Sequence, residues 1–248
     1  MNRIGNRVAH FPSVDSTNTI AATFSANPTN HGLVITADAQ TAGRGQYQRT
    51  WQAPAGSGIL MSVLLFPLDE LRRASILTAW AAVSVCETIL QATGQQATIK
   101  WPNDVLIHGK KVCGILCEGG AKHIVAGIGL NVNQSADDFE KMGLPDATSL
   151  AIVAGNAFDV PNLTSHLIQQ LDAKYDRLIH GDIATLEGDW KERIGLIGQQ
   201  VIVEKMDGRE LAGRLREMAF DGVVVEFADG SIGTLPPEAI RHLRQHSQ

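Results

Sequence analysis

The sequence predicts an α+β protein in which a main domain is followed by a small C-terminal β-barrel. Up to about residue 193, short apolar runs of strand length are interspersed with longer segments of helical periodicity. After about Leu196 the runs become short and alternating, and Asp-Gly pairs separate them. We therefore expect the main domain over residues 1–193 and the barrel over residues 194–248.

Short apolar runs predict the strands of the main domain. They are bounded by polar or glycine-rich stretches, as buried strands usually are. The predicted strands cover residues 7–11, 33–37, 58–66, 97–100, 104–108, 111–118 and 123–132. The dipeptide Gly109–Lys110 is predicted to form the hairpin turn between two of them.

Apolar residues at three- and four-residue spacing predict the helices. The first begins near Asp15 or Ser16, both of which are good N-cap residues. The second covers residues 74–93 and ends at Gly94. Asn162 is predicted to cap a third helix, which closes at Gly181, and a fourth covers residues 183–193.

Composition and charge restrict the class of protein. The 248 residues are 44% hydrophobic and 19% charged, with a formal net charge of −5 and no block of Lys or Arg. Nucleic-acid-binding proteins usually concentrate positive charge, because neutralising phosphates supplies most of their affinity. DNA or RNA is therefore not expected as the main partner.

Cysteine usage and the N-terminus indicate a cytoplasmic protein. Three cysteines cannot pair completely, and no signal-peptide pattern opens the chain. No window of about 18 apolar residues is expected, so no segment should span a membrane. Cys113 and Cys117 lack a nearby His or a second Cys pair, which favours core cysteines over a metal site.

The glycine-rich stretch over residues 40–58 is the most informative part of the sequence. It carries Arg44 and Arg49 but no carboxylate. Glycines allow close backbone approach to a ligand, and arginines bind carboxylate or phosphate. A site for an anionic, phosphorylated ligand is one interpretation. A plain surface loop is the other, because neither a Walker nor a dinucleotide-binding pattern is present.

Two further segments contain candidate site residues. In residues 100–105 Asp104 could lie near a magnesium-bound nucleotide, although Asn103 and Asp104 also favour an ordinary turn. Strand alternation places Lys111 on the face of Cys113, Ile115 and Cys117, where a lysine needs an anionic partner. A lysine at a strand end can equally be an ordinary surface residue.

Taken together and in order, five segments resemble the catalytic domain of biotin–protein ligases. They are DSTN at 15–18, QTAGRG with a following R.W at 40–51, KWPNDV at 100–105, KKVCGIL at 110–116 and GIGLNVN at 127–133. The resemblance implies a mixed, largely antiparallel sheet of the class II synthetase-like type. The C-terminal barrel resembles the SH3-like final domain of that family.

The resemblance also implies an activity and its partners. Biotin and ATP, with Mg²⁺, would give biotinyl-5′-adenylate, and a lysine of a biotin carboxyl carrier protein would then take the biotin. Some relatives carry an N-terminal DNA-binding domain, but the DSTN segment starts at residue 15 and leaves no room for one. The enzyme-only type without DNA binding is expected, and a homodimer through edge strands is compatible with it.

The family motifs imply roles for individual residues. Those implied to be catalytic are Lys111, Arg44, Arg49 and Asp104. Those implied to bind biotin are Ser16, Thr17, Asn18, Gln40, Gly43, Arg44, Lys111 and Gly114. Those implied to bind the nucleotide are Arg49, Trp51, Asn103 and Asn131. The metal ligands are left open.

Two glutamines depart from the family pattern, and two other functions stay open. Many relatives have Arg at the position of Gln46 and Gly at that of Gln48, where a positive φ suits glycine better. We hypothesise weaker retention of the adenylate or a slightly different loop closure, without loss of activity. Unchanged adenylate dissociation together with unchanged turnover in Gln46→Arg would contradict this. The alternative functions are a lipoyl or octanoyl ligase and a biotin-responsive binding protein without catalysis.

Overall fold

The computed structural model describes residues 3–246, over which it forms two β-sheets and six α-helices. The strands are β1 Val8–Val14, β2 Val34–Gln40, β3 Gly58–Leu65, β4 Thr98–Lys100, β5 Asp104–Ile107, β6 Lys110–Gly119, β7 Ile124–Asn131, β8 Gln200–Lys205, β9 Glu210–Ala219, β10 Gly222–Phe227, β11 Ile232–Leu235 and β12 Ile240–Gln245. The helices are α1 Thr17–Thr23, α2 Ala74–Thr93, α3 Ala136–Lys141, α4 Leu150–Ala154, α5 Val160–Ile179 and α6 Ile183–Ile194.

The larger sheet has seven strands in the order β1-β2-β3-β7-β6-β5-β4. Only the β1–β2 pair is parallel, and every other pair in this sheet is antiparallel. The predicted α+β class with a largely antiparallel sheet is confirmed. Helices α2, α5 and α6 cover one face of the sheet, and α1 packs on the other face against β2, β3 and β7.

The central helix α2 is apolar around nearly its whole circumference. It is long and apolar enough to cross a membrane by length and composition alone, with a mean hydropathy of 1.3 in its best window. The expectation that no such window exists was therefore wrong. In the structure 72% of that window is buried inside the protein, as expected for a core helix between a sheet and two other helices.

The start of one helix and the position of one hairpin turn differ from the predictions by one or a few residues. The third predicted helix begins at Val160 and not after Asn162, because the Asp159 carboxylate caps it by accepting from the Asn162 backbone N–H. The β5–β6 turn is His108–Gly109, one residue earlier than predicted, and both residues have positive φ, at 50° and 77°. Such a pair matches the twist of a two-residue hairpin.

The smaller sheet, which we call the C-terminal β unit, comprises β8 to β12 in the antiparallel order β11-β10-β9-β8-β12. The predicted short strands are confirmed, but in residues 3–246 no hydrogen-bonded ladder joins β11 to β12. The sheet is therefore open, and the predicted barrel is not closed by backbone pairing.

An aromatic cluster joins the C-terminal β unit to the rest of the core. The Trp190 ring of α6 lies 5.6 Å from that of Trp101 and 5.1 Å from that of Phe220, between ring centroids. One continuous hydrophobic cluster therefore runs through both parts of the chain. The division into domains at residues 193 and 194 stays a prediction.

Candidate active site

A cavity of about 510 Å³ opens on the α1 side of the larger sheet. It is lined by the start of α1, by the glycine-rich loop (residues 40–58), by strands β4 to β7 and by β8 and β12 of the C-terminal β unit. Its size is in the range that holds a small-molecule ligand.

Three glycines of β6 and β7 form the floor of this cavity. A Cβ atom on Gly129 would lie 2.4 Å from Cε2 of Trp51, and one on Gly114 would lie 2.9 Å from its Cζ3. A Cβ atom on Gly127 would lie 2.3 Å from Oδ1 of Asn18. The glycines thus allow the Trp51 ring and the Asn18 amide to lie directly on the sheet.

Lys111 faces the cavity because β6 contains a β-bulge. Val105 pairs with Cys113 but the next residue, Leu106, pairs with Lys111, so Val112 is an extra residue in the ladder. Val112 and Cys113 both lie in the core, and Lys111 shares its face with Gly114. The predicted alternation of Lys111 with Cys113, Ile115 and Cys117 was therefore wrong.

Lys111 is the central cation of the cavity. Its Nζ lies 2.6 Å from Oδ1 of Asp104 on the neighbouring strand β5, and 5.7 Å from the centroid of the Trp51 ring. The predicted anionic partner of the lysine is thus Asp104, whose side chain is only 19% exposed. A charged pair at this depth interacts more strongly than an exposed one.

A hydrogen-bonded polar cluster lies at the α1 end of the cavity. Oε1 of Gln40 accepts from the backbone N–H of Thr17 at 2.8 Å and from its hydroxyl at 3.1 Å. The buried Ser62 hydroxyl is 2.7 Å from Oγ1 of Thr17 and 2.6 Å from Oδ1 of Asn18. These bonds fix side chains that can present donors and acceptors to a polar ring system.

Arg44 of the glycine-rich loop is held against β6 by Glu118. Its guanidinium donates to Oε2 of Glu118 at 2.7 Å and to the Thr19 hydroxyl at 2.8 Å, and Asn18 donates to the same Glu118 oxygen at 2.7 Å. Partial burial raises the pKa of the Glu118 carboxyl, but the hydrogen bonds from Arg44 and Asn18 and the Arg44 charge outweigh it and lower that pKa below 4.5.

Two asparagines are fixed by backbone carbonyls. Nδ2 of Asn103 donates to the Ile115 carbonyl at 2.7 Å, and Nδ2 of Asn131 donates to the Thr148 carbonyl at 3.0 Å. Asn103 follows the cis Trp101–Pro102 peptide bond. Both residues line the cavity, and Oδ1 of Asn131 also accepts from Nε2 of Gln134 at 3.3 Å.

Cations from both sheets meet at the mouth of the cavity. Within residues 3–246, neither Arg49 nor Lys100 is within ion-pair distance of a carboxylate. Burial lowers the pKa of His242; Glu204 raises it, but the neighbouring cations Arg49, Lys100 and Arg241 lower it further. This concentration of positive charge favours an anionic ligand at the mouth.

The structure brings together all but one of the residues implied by the motifs. Those that line the cavity are Ser16, Thr17, Asn18, Gln40, Arg44, Arg49, Trp51, Asn103, Asp104, Lys111, Gly114 and Asn131. Gly43 lies behind it, where a Cβ atom would be 2.4 Å from the Trp51 carbonyl oxygen. Gly43 therefore allows the two ends of the loop to approach each other.

Sequence reasoning missed five residues of this region: Thr19, Ser62, Glu118, Tyr47 and His242. Glu118 could have been found by continuing the strand alternation from Gly114 through Leu116. Nothing local to residue 242 points to a cavity more than a hundred residues away in the chain.

No cluster of three or more metal-ligating side chains occurs in residues 3–246. The carboxylates at the cavity are each paired with a cation, Asp104 with Lys111, Glu118 with Arg44 and Glu204 with Arg241. In this part of the chain no three such side chains come together to hold a metal ion.

Comparison with known proteins decides the family. Residues 10–134 match the model of the "Biotin/lipoate A/B protein ligase family", which is half of the chain. The chain belongs to this family. The matched residues include α1, the glycine-rich loop and strands β1 to β7, so the family region contains the floor of the cavity.

Individual biotin/lipoate ligases are similar over longer stretches. The "Bifunctional ligase/repressor BirA" of Bacillus spizizenii is 39% identical over 184 residues, covering 72% of this chain but only 57% of that protein. The "Biotin--[acetyl-CoA-carboxylase] ligase" of Mycobacterium tuberculosis is 31% identical over 217 residues, covering 86% of this chain and 80% of the relative.

A solved member of the family has the same fold. The biotin protein ligase from Aquifex aeolicus, in complex with biotin and ATP, superposes with a TM-score of 0.83 at 25% identity. The superposition covers 97% of this chain and all of the other. The C-terminal β unit is therefore part of the shared architecture.

Proposed function

We propose that the chain is an ATP-dependent biotin–protein ligase. It joins the biotin carboxylate to the α-phosphate of ATP, releasing pyrophosphate, and then passes biotin to a lysine of a biotin carboxyl carrier domain. The similar ligases from Mycobacterium tuberculosis and Aquifex aeolicus support this choice of substrates.

One observation carries the proposal. Lys111 lies in a cavity that is polar and hydrogen-bonded at one end and cationic at its mouth, and its ammonium lies between the two. A carboxylate entering from the polar end and a phosphate entering from the mouth would meet at Lys111. Such a meeting of two anions needs a fixed cation.

In the first half-reaction a biotin carboxylate oxygen attacks the α-phosphorus and the bond to the pyrophosphate oxygen breaks. Lys111 would stabilise the charge that both anions bring together, and Asp104 keeps its ammonium in place. Arg44 and Arg49 belong to the loop over the cavity and are placed to neutralise the adenylate phosphate. No covalent intermediate with the protein is required, so positioning accounts for much of the rate.

In the second half-reaction the carrier lysine attacks the carbonyl carbon of the mixed anhydride, and AMP leaves. The lysine gives up its ammonium proton to solvent before it attacks, and the second proton, lost from the nitrogen as the amide forms, also passes to solvent. Asp104 lies on the wall of the cavity and is the nearest carboxylate to Lys111, so we propose that it attracts the incoming ammonium. Trp51 covers the glycine floor and keeps water from the anhydride.

Magnesium enters this proposal as part of the substrate. Residues 3–246 hold no cluster of metal ligands, and a magnesium ion bound to nucleotide phosphates needs few or no protein carboxylates. Its chemistry is to neutralise phosphate charge, and the cationic residues at the cavity mouth fit the phosphates that would hold the ion and not the ion itself.

The same proposal includes a cytoplasmic location, a possible site of dimer formation and a position for the carrier lysine. The three cysteines are free, with Cys86 and Cys113 buried, which fits a reducing cytoplasm. Strands β1 and β4 are the edges of the larger sheet, and an edge strand is where a homodimer could pair. We place the carrier lysine at the mouth of the cavity.

The test is pyrophosphate release from ATP with biotin, with lipoate or with neither. We expect release that depends on biotin and falls about 10²- to 10³-fold in Lys111→Ala, as for removal of one fixed donor at developing charge. The matched control is Lys110→Ala, because Lys110 neighbours Lys111 but does not line the cavity.

The outcomes separate the alternatives. Release with lipoate alone would assign the chain to the lipoyl or octanoyl ligases. Tight biotin binding without release would indicate a binding protein. Equal activity in the two lysine variants would remove Lys111 from the chemistry while keeping the enzyme.

A further inference from the structure

The base of the glycine-rich loop is closed by hydrogen bonds within the loop and is attached to the larger sheet by an ion pair. The Gly43 carbonyl accepts from the Trp51 N–H at 3.0 Å, and the Arg49 carbonyl accepts from the Gly45 N–H at 2.7 Å. The Arg44–Glu118 ion pair attaches this base to β6. Residues 46–48 form the tip of the loop, beyond these contacts.

The tip is held by the C-terminal β unit, through Tyr47. The Arg241 guanidinium carbon lies 5.1 Å from the centroid of the Tyr47 ring, and the His242 ring lies 6.2 Å away at an angle of 75°. The Tyr47 hydroxyl donates to Sδ of Met206 at 3.8 Å. All three partners belong to, or directly follow, strands of the C-terminal β unit.

The groups that meet Tyr47 are themselves fixed. Arg241 forms an ion pair with Glu204 of β8 at 3.4 Å, so its guanidinium lies between a carboxylate and the aromatic ring. A cation over a tyrosine face is attractive, and more so when a second contact orients it. Tyr47 therefore packs against an ordered surface.

The backbone at the tip requires such support. Tyr47 has a φ of 55° and Gln48 a φ of 62°, both in the left-handed region. Two consecutive residues with side chains seldom adopt it unless the surroundings impose it. Tyr47 also lines the cavity, so its packing sets where the loop lies over a ligand.

We propose that Tyr47 is a latch that fixes the glycine-rich loop to the C-terminal β unit and so keeps the cavity covered. Tyr47 is a positioning residue, and through it the C-terminal β unit controls how long a bound intermediate stays. The position of the loop does not depend on ligand identity, whereas the effect on adenylate retention rests on the proposed function.

The first test needs no ligand. Trypsin cleaves after Arg44 and Arg49, on either side of the latch. In the full-length protein, Tyr47→Ala should speed cleavage at these sites roughly 2- to 5-fold, the factor expected from losing an exposed cation–π contact. Tyr47→Phe keeps the ring and should cleave like wild type. Phe24→Ala is the matched control, because Phe24 is 40% exposed and Tyr47 is 38% exposed.

The second test identifies the partner. Arg241→Ala should speed loop cleavage as Tyr47→Ala does, and the double variant should be no faster than either, because the two groups act as a pair. Additive effects, or cleavage at wild-type rate in Tyr47→Ala, would overturn the latch. Cleavage spread over the whole chain in Tyr47→Ala would indicate unfolding. In that case the loop cleavage rates of Tyr47→Phe and Arg241→Ala are compared, and the latch requires the second to be faster.

The third test links the latch to chemistry. Tyr47→Ala should release preformed biotinyl-adenylate several-fold faster, with Tyr47→Phe restoring retention. Faster loop cleavage with unchanged adenylate release would overturn the retention role. If wild type forms no adenylate at all, the proposed function fails, while the ligand-free cleavage result still judges the latch.

Discussion

At the scale of the residue, Glu118 shows how a side chain outside the motifs holds a motif residue in place. It accepts from both Arg44 and Asn18, so it connects the glycine-rich loop to α1. Its carboxylate lies on β6 and is exposed enough that water weakens the ion pair. Its value is in positioning Arg44 more than in stability.

The lowered pKa of Glu118 gives a pH-dependent prediction. Since its pKa in the folded protein is below the ordinary value of 4.5, its contribution to stability is present above that pH and is lost as the pH falls through the folded pKa. Glu118→Gln should therefore unfold at lower urea than wild type at pH 7, and the two midpoints should converge below 4.5.

The control for this prediction is another carboxylate without an ion pair. Glu70 is exposed in a short turn, and in residues 3–246 no cation lies within ion-pair distance of it. Glu70→Gln should leave the urea midpoint at pH 7 close to that of wild type. If the urea midpoint of Glu118→Gln equals that of wild type at pH 7, the contact with Arg44 contributes nothing to the stability of the folded protein.

At the scale of the element, strands β6 and β7 act as a flat platform because glycine replaces side chains on one face. Gly129 has no positive φ and lies in regular antiparallel pairing, so the backbone itself would accept alanine. What forbids a Cβ atom there is the Trp51 ring. Glycine is therefore needed at this position to accommodate Trp51 in the cavity, and the strand itself does not require it.

Gly129→Ala should therefore separate activity from stability. We expect the melting temperature to stay near that of wild type while kcat/KM falls about 10- to 100-fold, the loss typical of a 1 Å misplacement near the chemistry. The control is Gly188→Ala in α6, which has open space around it. It should stabilise the helix by about 0.5–1 kcal/mol and leave activity unchanged.

Helix α2 and strand β6 show what could and could not be predicted from the sequence. Helix α2 could be delimited to the residue because its spacing and its closing Gly94 are local signals. The side of β6 to which Lys111 points could not, because two-residue alternation assumes a regular ladder and the bulge at Val112 is set by pairing with β5. The sequence therefore identified the motif residues but not the side of the sheet to which Lys111 points.

At the scale of the whole molecule, aromatic side chains join parts of the chain that are distant in sequence. Trp190 of α6 packs against Trp101, which directly follows β4, and against Phe220, which directly follows β9. Tyr47 and His242 form a second contact across the cavity. Neither could be predicted, because local sequence patterns carry no information on which distant residues come into contact.

Trp190 offers a test of this connection. It is 3% exposed, and truncation to alanine should cost about 3–5 kcal/mol, as for other buried aromatic residues. For a chain of this size that lowers the melting temperature by roughly 6–20 °C. Activity should fall further than unfolding explains, because Trp101 precedes Asn103 and Asp104.

Trp190→Phe is the control, since it keeps an apolar ring between Trp101 and Phe220 and should recover most of the lost stability. A separate early transition in calorimetry, with the rest of the chain melting as wild type, would contradict a continuous core. A single shifted transition is the expected result.

The bulge in β6 has a consequence for insertions and deletions. Lys111 is three positions before Gly114, and in a regular ladder that spacing would turn its ammonium toward the apolar side of the sheet. Deleting Val112 would remove the bulge and leave Lys111 two positions before Gly114, so the ammonium would still point into the cavity. Enzymes redesigned on this scaffold can therefore lose the bulge residue, whereas straightening β6 at its present length would remove the lysine from the cavity without changing a single motif residue.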